Sequence, residues 1–206
     1  MKMCAVSIVS AAMLASGSAA LAQNVLVNPG FESGLSGWTP FGNVFADTTT
    51  PLSGSGVAKM FGGFSGGFNV GGMFQTFPAA PGQNWSFSAN FRHNTGDNLI
   101  GNGPANSNWV ISKLEFRNAA DQVTGFAESA SFDGRNARDV WTPTTTGSLV
   151  APANTASVWA FFLFLQPSFD GGAVLIDDAS LVPAPGVAGL FGIAGLTLAG
   201  RRRRAN

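Results

Sequence analysis

The 206-residue sequence predicts an all-β body, a two-sheet antiparallel β-sandwich over residues 23–182, flanked by an N-terminal signal helix and a C-terminal hydrophobic helix. Three observations predict it. No stretch between Gln23 and Val182 sustains a 3.6-residue apolar period. Short runs rich in Val, Phe, Thr and Trp recur there instead, and clusters of Gly, Pro, Asn and Asp separate them. The body is about 160 residues, one ordinary domain that buries roughly two-thirds of its unfolded surface without staples.

In chain order, the first element is the segment "MKMCAVSIVSAAMLASGSAALAQ". One positive residue, Lys2, precedes an apolar run from Ala5 to Leu14, and small residues close on Ala20-Leu21-Ala22. This is the layout of a secretory signal peptide, residues 1–22, cleaved between Ala22 and Gln23. The run is short for a membrane span.

Within the body, "NWSFSANFRH" sets Trp85, Phe87, Ala89 and Phe91 against Asn84, Ser86, Ser88 and Asn90, one face buried and one wet. "WVISKLEFRN" and "VWAFFLFLQP" are further strands. The second is apolar on both faces, which places it centrally in a sheet. "AVLIDDASLV" closes the set. Turns fall at Pro81-Gly82, Asp133-Gly134 and Asp170-Gly171-Gly172. The Phe/Gly-rich insert "MFGGFSGGFNVGG" is too apolar for a flexible linker and reads as a loop packed by its own phenylalanines.

The last segment, 183–206, is "PAPGVAGLFGIAGLTLAGRRRRAN". From Gly186 to Gly200 it carries no charge, and as a helix it would reach about 22 Å, short of a ~30 Å hydrocarbon core. Pro183 and Pro185 mark the helix start, and Ala188 and Gly192 give it a small-residue face. Arg201, Arg202, Arg203 and Arg204 would stay on the cytoplasmic side, leaving everything upstream outside.

Charge and cysteine usage narrow the function. The eleven Lys and Arg include Lys2 and the four terminal arginines, leaving six in the body against eleven Asp and Glu, a net charge of −5. An acidic body argues against a nucleic-acid partner. The single cysteine, Cys4, lies in the signal peptide, so the mature chain has neither disulfide nor thiol chemistry.

Two resemblances follow from these residues. The stretch Val182-Pro183-Ala184-Pro185, the Gly/Leu-rich apolar run and the arginine cluster together resemble the C-terminal sorting signal of bacterial PEP-CTERM proteins. That resemblance implies recognition by an exosortase, a membrane protease-transpeptidase, and delivery to the cell envelope or extracellular polymer, with the C-terminal helix anchoring the chain in the membrane transiently or stably. Ala184 stands where the family's Glu would be.

The body resembles carbohydrate-binding modules of the galactose-binding-like jelly-roll class. The opening "NVLVNPGFESGLSGW" matches their Asn-Pro-Gly-Phe-Glu turn followed by Gly and Trp. "GGMFQTFPAAPGQNWSFSANFR" is similar to their Gln-containing strand, Pro-Gly turn and next strand. "DVWTPTTTGSLVAPANTASVWAFFLF" and "AVLIDDASL" resemble the closing strands. The resemblance implies a structural calcium where first and last strands meet, held by Glu32, Asp177 and backbone carbonyls, with Asp178 the neighbouring alternative. Hard carboxylate and carbonyl oxygens suit Ca²⁺. The plainer alternative is a solvated turn glutamate and a strand-ending Asp pair.

A sugar-binding face needs exposed rings beside polar groups. Trp38, Trp85 and Trp141 read as core. Trp109, after the polar "GNGPANSN", and Trp159 are the candidate ligand-binding residues, with Phe161 beside the latter; a buried central strand explains Trp159 equally well. No catalytic residue is assigned. His93 is the only histidine, which removes most His-based machinery. Glu115, Glu128, Asp133 and Asp139 permit paired-carboxylate chemistry only in the sense that any acid-containing sequence does, and Tyr, a common lyase acid or base, is absent.

The leading expectation is therefore an exported, non-enzymatic, envelope- or matrix-associated sandwich, structural or adhesive in extracellular polysaccharide. The alternative is a carbohydrate-binding module with a defined glycan groove around Trp109 and Trp159, and the third reading is a polysaccharide hydrolase or lyase.

Overall fold

Alternation along residues 84–92 puts every second side chain on one side of an extended chain. The computed structural model, which describes residues 23–104 and 107–184, forms β5 (Asn84–Arg92) on that pattern, with burial strictly alternating. The other strands among the described residues are β1 (Thr39–Phe41), β2 (Asn43–Asp47), β3 (Val57–Phe61), β4 (Asn69–Pro78), β6 (Trp109–Arg117), β7 (Val123–Glu128), β8 (Thr142–Val150), β9 (Ser157–Gln166) and β10 (Ala173–Ala184). They form two five-stranded sheets in the orders β1-β4-β9-β6-β7 and β2-β3-β10-β5-β8, with every pairing antiparallel. The expected all-β, two-sheet antiparallel sandwich is the fold.

The doubly apolar run does become a central strand, β9, between β4 and β6. Its Val158, Ala160, Phe162 and Phe164 point into the core, where all four are fully buried. Phe162 sits at the middle, 4.8 Å from the Phe87 ring, 5.4 Å from Trp38 and 5.7 Å from Phe91. Tilted and edge-on packing of this kind suits the aromatic quadrupole, and truncating such a ring to Ala costs about 3–5 kcal/mol.

The opening turn is fixed by its own side chains. Asn28 donates from Nδ2 to the carbonyls of Gly34 and Ser36, and its Oδ1 accepts from Ser33 N–H. Asn28 and Phe31 both take positive φ, 50° and 57°, which turns Phe31 inward to stack on Trp38 at 5.4 Å and leaves Glu32 facing out. Gln75, buried in β4, ties this segment to the first sheet by accepting from Val27 N–H and donating to Val27 O. Asn24 bridges the same segment to β10 through Ala179 O and Leu181 N–H.

β10 carries a bulge between Asp177 and Ser180, with Asp178 at φ 48°. The bulge re-aims both aspartates towards the opening turn, and Ala179 N–H bonds to Pro29 O at 2.9 Å. The strand continues past the expected domain border at Val182, so Pro183 and Ala184 lie opposite Trp85 and Asn84. β3 no longer runs beside β10 there, so the missing Pro183 N–H has no strand to serve. The chain enters and leaves at one end of the sandwich; the 62–68 and 167–172 loops sit at the other.

The Phe/Gly-rich insert differs from expectation. Its phenylalanines are not packed on one another: Phe64 and Phe68 are exposed, and Phe68 leans on Trp109 at 6.2 Å. Glycines at 62, 63, 66 and 67 leave the loop without the side chains that would cover them. Trp141 also departs from expectation. It is half-buried just ahead of β8 and outside the core, whereas Trp38 and Trp85 are buried as expected. The signal helix with Ala22, and the apolar helix with Pro185 and Arg201–Arg204, lie outside the described residues. No helix among the described residues is long and apolar enough to cross a membrane.

Candidate functional site

The solvent face of the first sheet concentrates rings and charges. Period-two alternation sends Trp159, Phe161, Leu163 and Leu165 of β9 outward, opposite to the core-facing Phe162. Antiparallel register sets Trp159 between Thr76 and Glu115, and Phe161 between Phe74 and Lys113. Phe74 therefore stacks on Trp159 at 4.9 Å and meets Phe161 at 5.3 Å, while Trp159 and Phe161 stack at 5.7 Å with 16° between planes. All three lie within cross-strand reach.

Charge lines one side of this cluster. Along β6, Lys113, Glu115 and Arg117 alternate with the buried Leu114 and Phe116, so all three project onto the ring-bearing face. Glu115 accepts from Lys113 Nζ at 2.8 Å and from Arg117 Nε at 2.7 Å. Only 5 % of Glu115 is exposed, so both its oxygens are engaged where water is scarce. The Arg117 guanidinium lies over the Trp159 ring at 4.0 Å and also pairs with Asp121 at 3.1 Å. Lys113 similarly stands over Phe126, which is exposed. The result is an aromatic platform with cationic donors fixed at its margin by Glu115, Arg117 lying over the Trp159 ring. Half-exposed rings beside such donors have the chemistry that suits the C–H face of a sugar ring and its hydroxyls.

Both predicted ligand-binding tryptophans lie on this face, half-buried, but they do not meet. Trp109 faces Leu165, six positions along β9 from Trp159, about 20 Å away at strand rise. Phe161, Leu163 and Ile111 lie between them, so the tryptophans mark two ends of an apolar track rather than one subsite. Sequence reasoning missed Phe74 and the Lys113–Glu115–Arg117 row. The signal was present in "KLEFR", where charged and apolar residues alternate with the strand period.

A second constellation gathers where the opening turn meets the β10 bulge. A Cβ added to Gly30 would lie 3.7 Å from Asp178 Oδ1, 3.8 Å from Asp177 Oδ1 and 3.9 Å from Glu32 Oε1. Three carboxylates thus surround one small space, and among the described residues none of them is paired with Lys or Arg. Backbone donors hold them in place: Glu32 accepts from Ser55 N–H and Oγ–H and from Gly56 N–H, and Asp177 accepts from Leu52, Ser53 and Asp178 N–H. The Ser55 backbone and hydroxyl bonds, then Gly56, hold the Glu32 carboxyl below its usual pKa range. Burial pushes the Asp177 carboxyl up, and the Asp178 charge adds to that.

Among the described residues no three His, Cys, Asp or Glu side chains already close on one ion. The donor chemistry nonetheless fits calcium: hard carboxylate oxygens and uncompensated negative charge, with Gly30 leaving the intervening space open.

Two further acids and the histidine are engaged separately. Asp133 bonds Arg135, and Asp139 bonds Thr95 and Arg92. His93 is fully buried; Nδ1 accepts from Leu99 N–H and Nε2 donates to Asn136 O, fixing the neutral tautomer.

No protein-family model and no curated protein matches this chain. Solved structures do. It is similar to a family 16 carbohydrate-binding module (17 % identity, TM-score 0.52, covering 77 % of this chain and 99 % of that one). It is similar to the C-terminal family 22 carbohydrate-binding module of Clostridium thermocellum Xyn10B (15 %, TM-score 0.52, covering 77 % and 92 %). It is also similar to a Stig cyclase of Fischerella sp. TAU (14 %, TM-score 0.54, covering 79 % and 98 %). At these identities the likeness is one of fold, the galactose-binding-like jelly roll, and that fold carries both binding modules and a cyclase.

Proposed function

We propose that this chain is an exported, non-enzymatic protein of the cell envelope or extracellular matrix, and that its sandwich binds polysaccharide along the outer face of the first sheet. The observation that carries the binding reading is the Phe74–Trp159–Phe161 platform beside the Lys113–Glu115–Arg117 row. On this outer face Trp159 and Phe74 are half-buried and Phe161, 9 % exposed, is packed beside them, with polar groups fixed at the margin. The carbohydrate-binding modules among the structural neighbours lend the fold-level support.

The rest of the proposal draws on the sequence. The signal-peptide layout supports export, and the Val182–Pro185 stretch with Arg201–Arg204 supports sorting by an exosortase-type membrane protease, the C-terminal helix holding the chain in the membrane before processing. Glu32 and Asp177 would hold a structural Ca²⁺ clamping the opening turn to the last strand, with Asp178 at the same space. A non-enzymatic role is supported by Glu115, the acid nearest the platform, whose oxygens are both engaged by cations.

The test is a screen of the purified full chain against immobilised polysaccharides, repeated with Trp159→Ala. Selective binding lost in the variant supports the reading; wild-type turnover of any polysaccharide contradicts the non-enzymatic part, and the absence of any binding contradicts the polysaccharide-binding part.

A further inference from the structure

The outer face of the second sheet holds another ring-and-ion-pair arrangement, at the end of the sandwich away from the chain termini. Phe45 and Phe61, opposite strands β2 and β3, stack at 5.4 Å with only 9° between planes, and Phe45 is 51 % exposed. Beside them opens a cleft of about 270 Å³ lined by Lys59, Phe61, Phe64, Asp97, Gly172 and Ala173. Lys59 and Asp97 form an ion pair at 2.7 Å at its edge. Asp97 is itself positioned, because its carbonyl accepts from Ala173 N–H at 2.9 Å.

The far wall is built at a cost. Phe64, a bulky residue, takes a left-handed backbone conformation, φ 51°, while its ring stays exposed. The conformation is held by Gln166, fully buried, which accepts from Phe64 N–H at 2.7 Å and from Asn69 Nδ2 at 3.0 Å. Gln166 in turn donates to Asp170 O. It fits only because residue 62 is glycine: a Cβ there would lie 2.1 Å from the Gln166 amide carbon. A buried amide thus holds an exposed ring over a cleft that already contains a second ring, a donor and an acceptor.

We infer that this cleft is a second saccharide-binding site, taking a single neutral sugar ring between Phe61 and Phe64 with its hydroxyls on Lys59 and Asp97, and that the sandwich is therefore bivalent and cross-links polysaccharide chains. The inference rests on the polysaccharide reading of the first sheet. The ligand class follows from the chemistry: flat apolar walls suit the C–H faces of a pyranose, and one ammonium with one carboxylate serves hydroxyls without selecting a charged ligand. The two sites lie on opposite outer faces, so one short oligosaccharide does not bridge them, whereas two long chains can be joined.

The experiment mixes the purified full chain with soluble arabinoxylan, mixed-linkage β-glucan or galactan and reads turbidity for cross-linking and affinity electrophoresis for binding. The wild type clouds at least one polymer. Phe61→Ala, and independently the exposed Asp97→Ala, bind it with roughly tenfold weaker avidity and stay clear. Trp159→Ala behaves likewise, binding through the remaining cleft. Asp97→Ala removes no buried group, so its clarity cannot come from unfolding, and melting curves check the Phe61 variant. Turbidity that survives both Phe61→Ala and Asp97→Ala overturns the second site. Complete loss of binding in Trp159→Ala also overturns it while leaving the first-sheet reading standing. Binding unaffected by Trp159→Ala overturns that reading instead, and with it bivalence.

Discussion

His93 gives the sharpest stability prediction, because the chain has no other histidine. Burial holds its imidazole below the ordinary pKa, and Arg138 adds to the effect while the Asn136 carbonyl and Asp139 oppose it. Protonating Nδ1 would set a positive N–H against Leu99 N–H, a donor facing a donor. The unfolded chain has no such restraint and takes up a proton near pH 6.5. With the folded pKa depressed, the unfolded state binds more protons as pH falls below about 6.5, and stability drops until the folded pKa is passed. One proton gives at most about 1.4 kcal/mol per pH unit. At roughly 2–4 °C per kcal/mol for a domain of this size, the midpoint falls by about 3–5 °C per unit. The assay is thermal unfolding by circular dichroism from pH 8 to 5, wild type against His93→Gln, which keeps a donor and an acceptor but cannot titrate. The difference between the two curves isolates His93 from Asp177, whose raised pKa acts in the opposite direction over the lower part of the range. Parallel curves for the two proteins throughout would refute the reasoning.

Adding Ca²⁺ at a hundred times its dissociation constant should stabilise the wild type by about 2.7 kcal/mol, raising the midpoint by several degrees, with EGTA reversing it. Gly30→Ala should fold normally, since its Cβ meets nothing nearer than 3.7 Å, yet lose the calcium response because that methyl occupies the space between the carboxylates. Gln166→Leu leaves the Phe64 N–H without its acceptor, and should bring protease sensitivity to the 62–68 loop together with a midpoint loss of about 1–3 kcal/mol equivalent. Removing residues 185–206, which begin just past the end of β10, should shift the protein from the envelope fraction to the medium without changing its melting temperature.

The fold was readable because strand periodicity and turn chemistry agree. The alternation at 84–92 and the doubly apolar 158–167 run each specify both a strand and its place, on a sheet face or at its centre. Shorter strands such as Thr39–Phe41 and Val123–Glu128 lie at sheet edges, where one pairing partner and half-exposed side chains leave no clear pattern. Placement in space was the part the sequence withheld. Trp159 was a candidate from the start, but its stacking on Phe74 depends on the register between strands 80 residues apart in the chain. Trp141 misled because a tryptophan heading a strand is as compatible with a half-covered loop as with the core. The insert at 62–68 misled for the opposite reason: composition suggested self-packing, while four glycines let the loop place Phe64 under the control of a glutamine a hundred residues away. Glu32 and Asp177 were paired by resemblance, and the β10 bulge is the physical device that brings them to one space.

The central claim is that the aromatic platform of β4 and β9 contacts polysaccharide. It is tested most directly by calorimetric titration of the full chain with cellohexaose, xylohexaose and galactohexaose, using Trp159→Ala and the off-face control Trp141→Ala. The account predicts that whichever sugar binds the wild type binds Trp159→Ala at least about tenfold more weakly, a loss of roughly 1.4 kcal/mol or more, while Trp141→Ala is unchanged. Equal affinity for wild type and Trp159→Ala would contradict it.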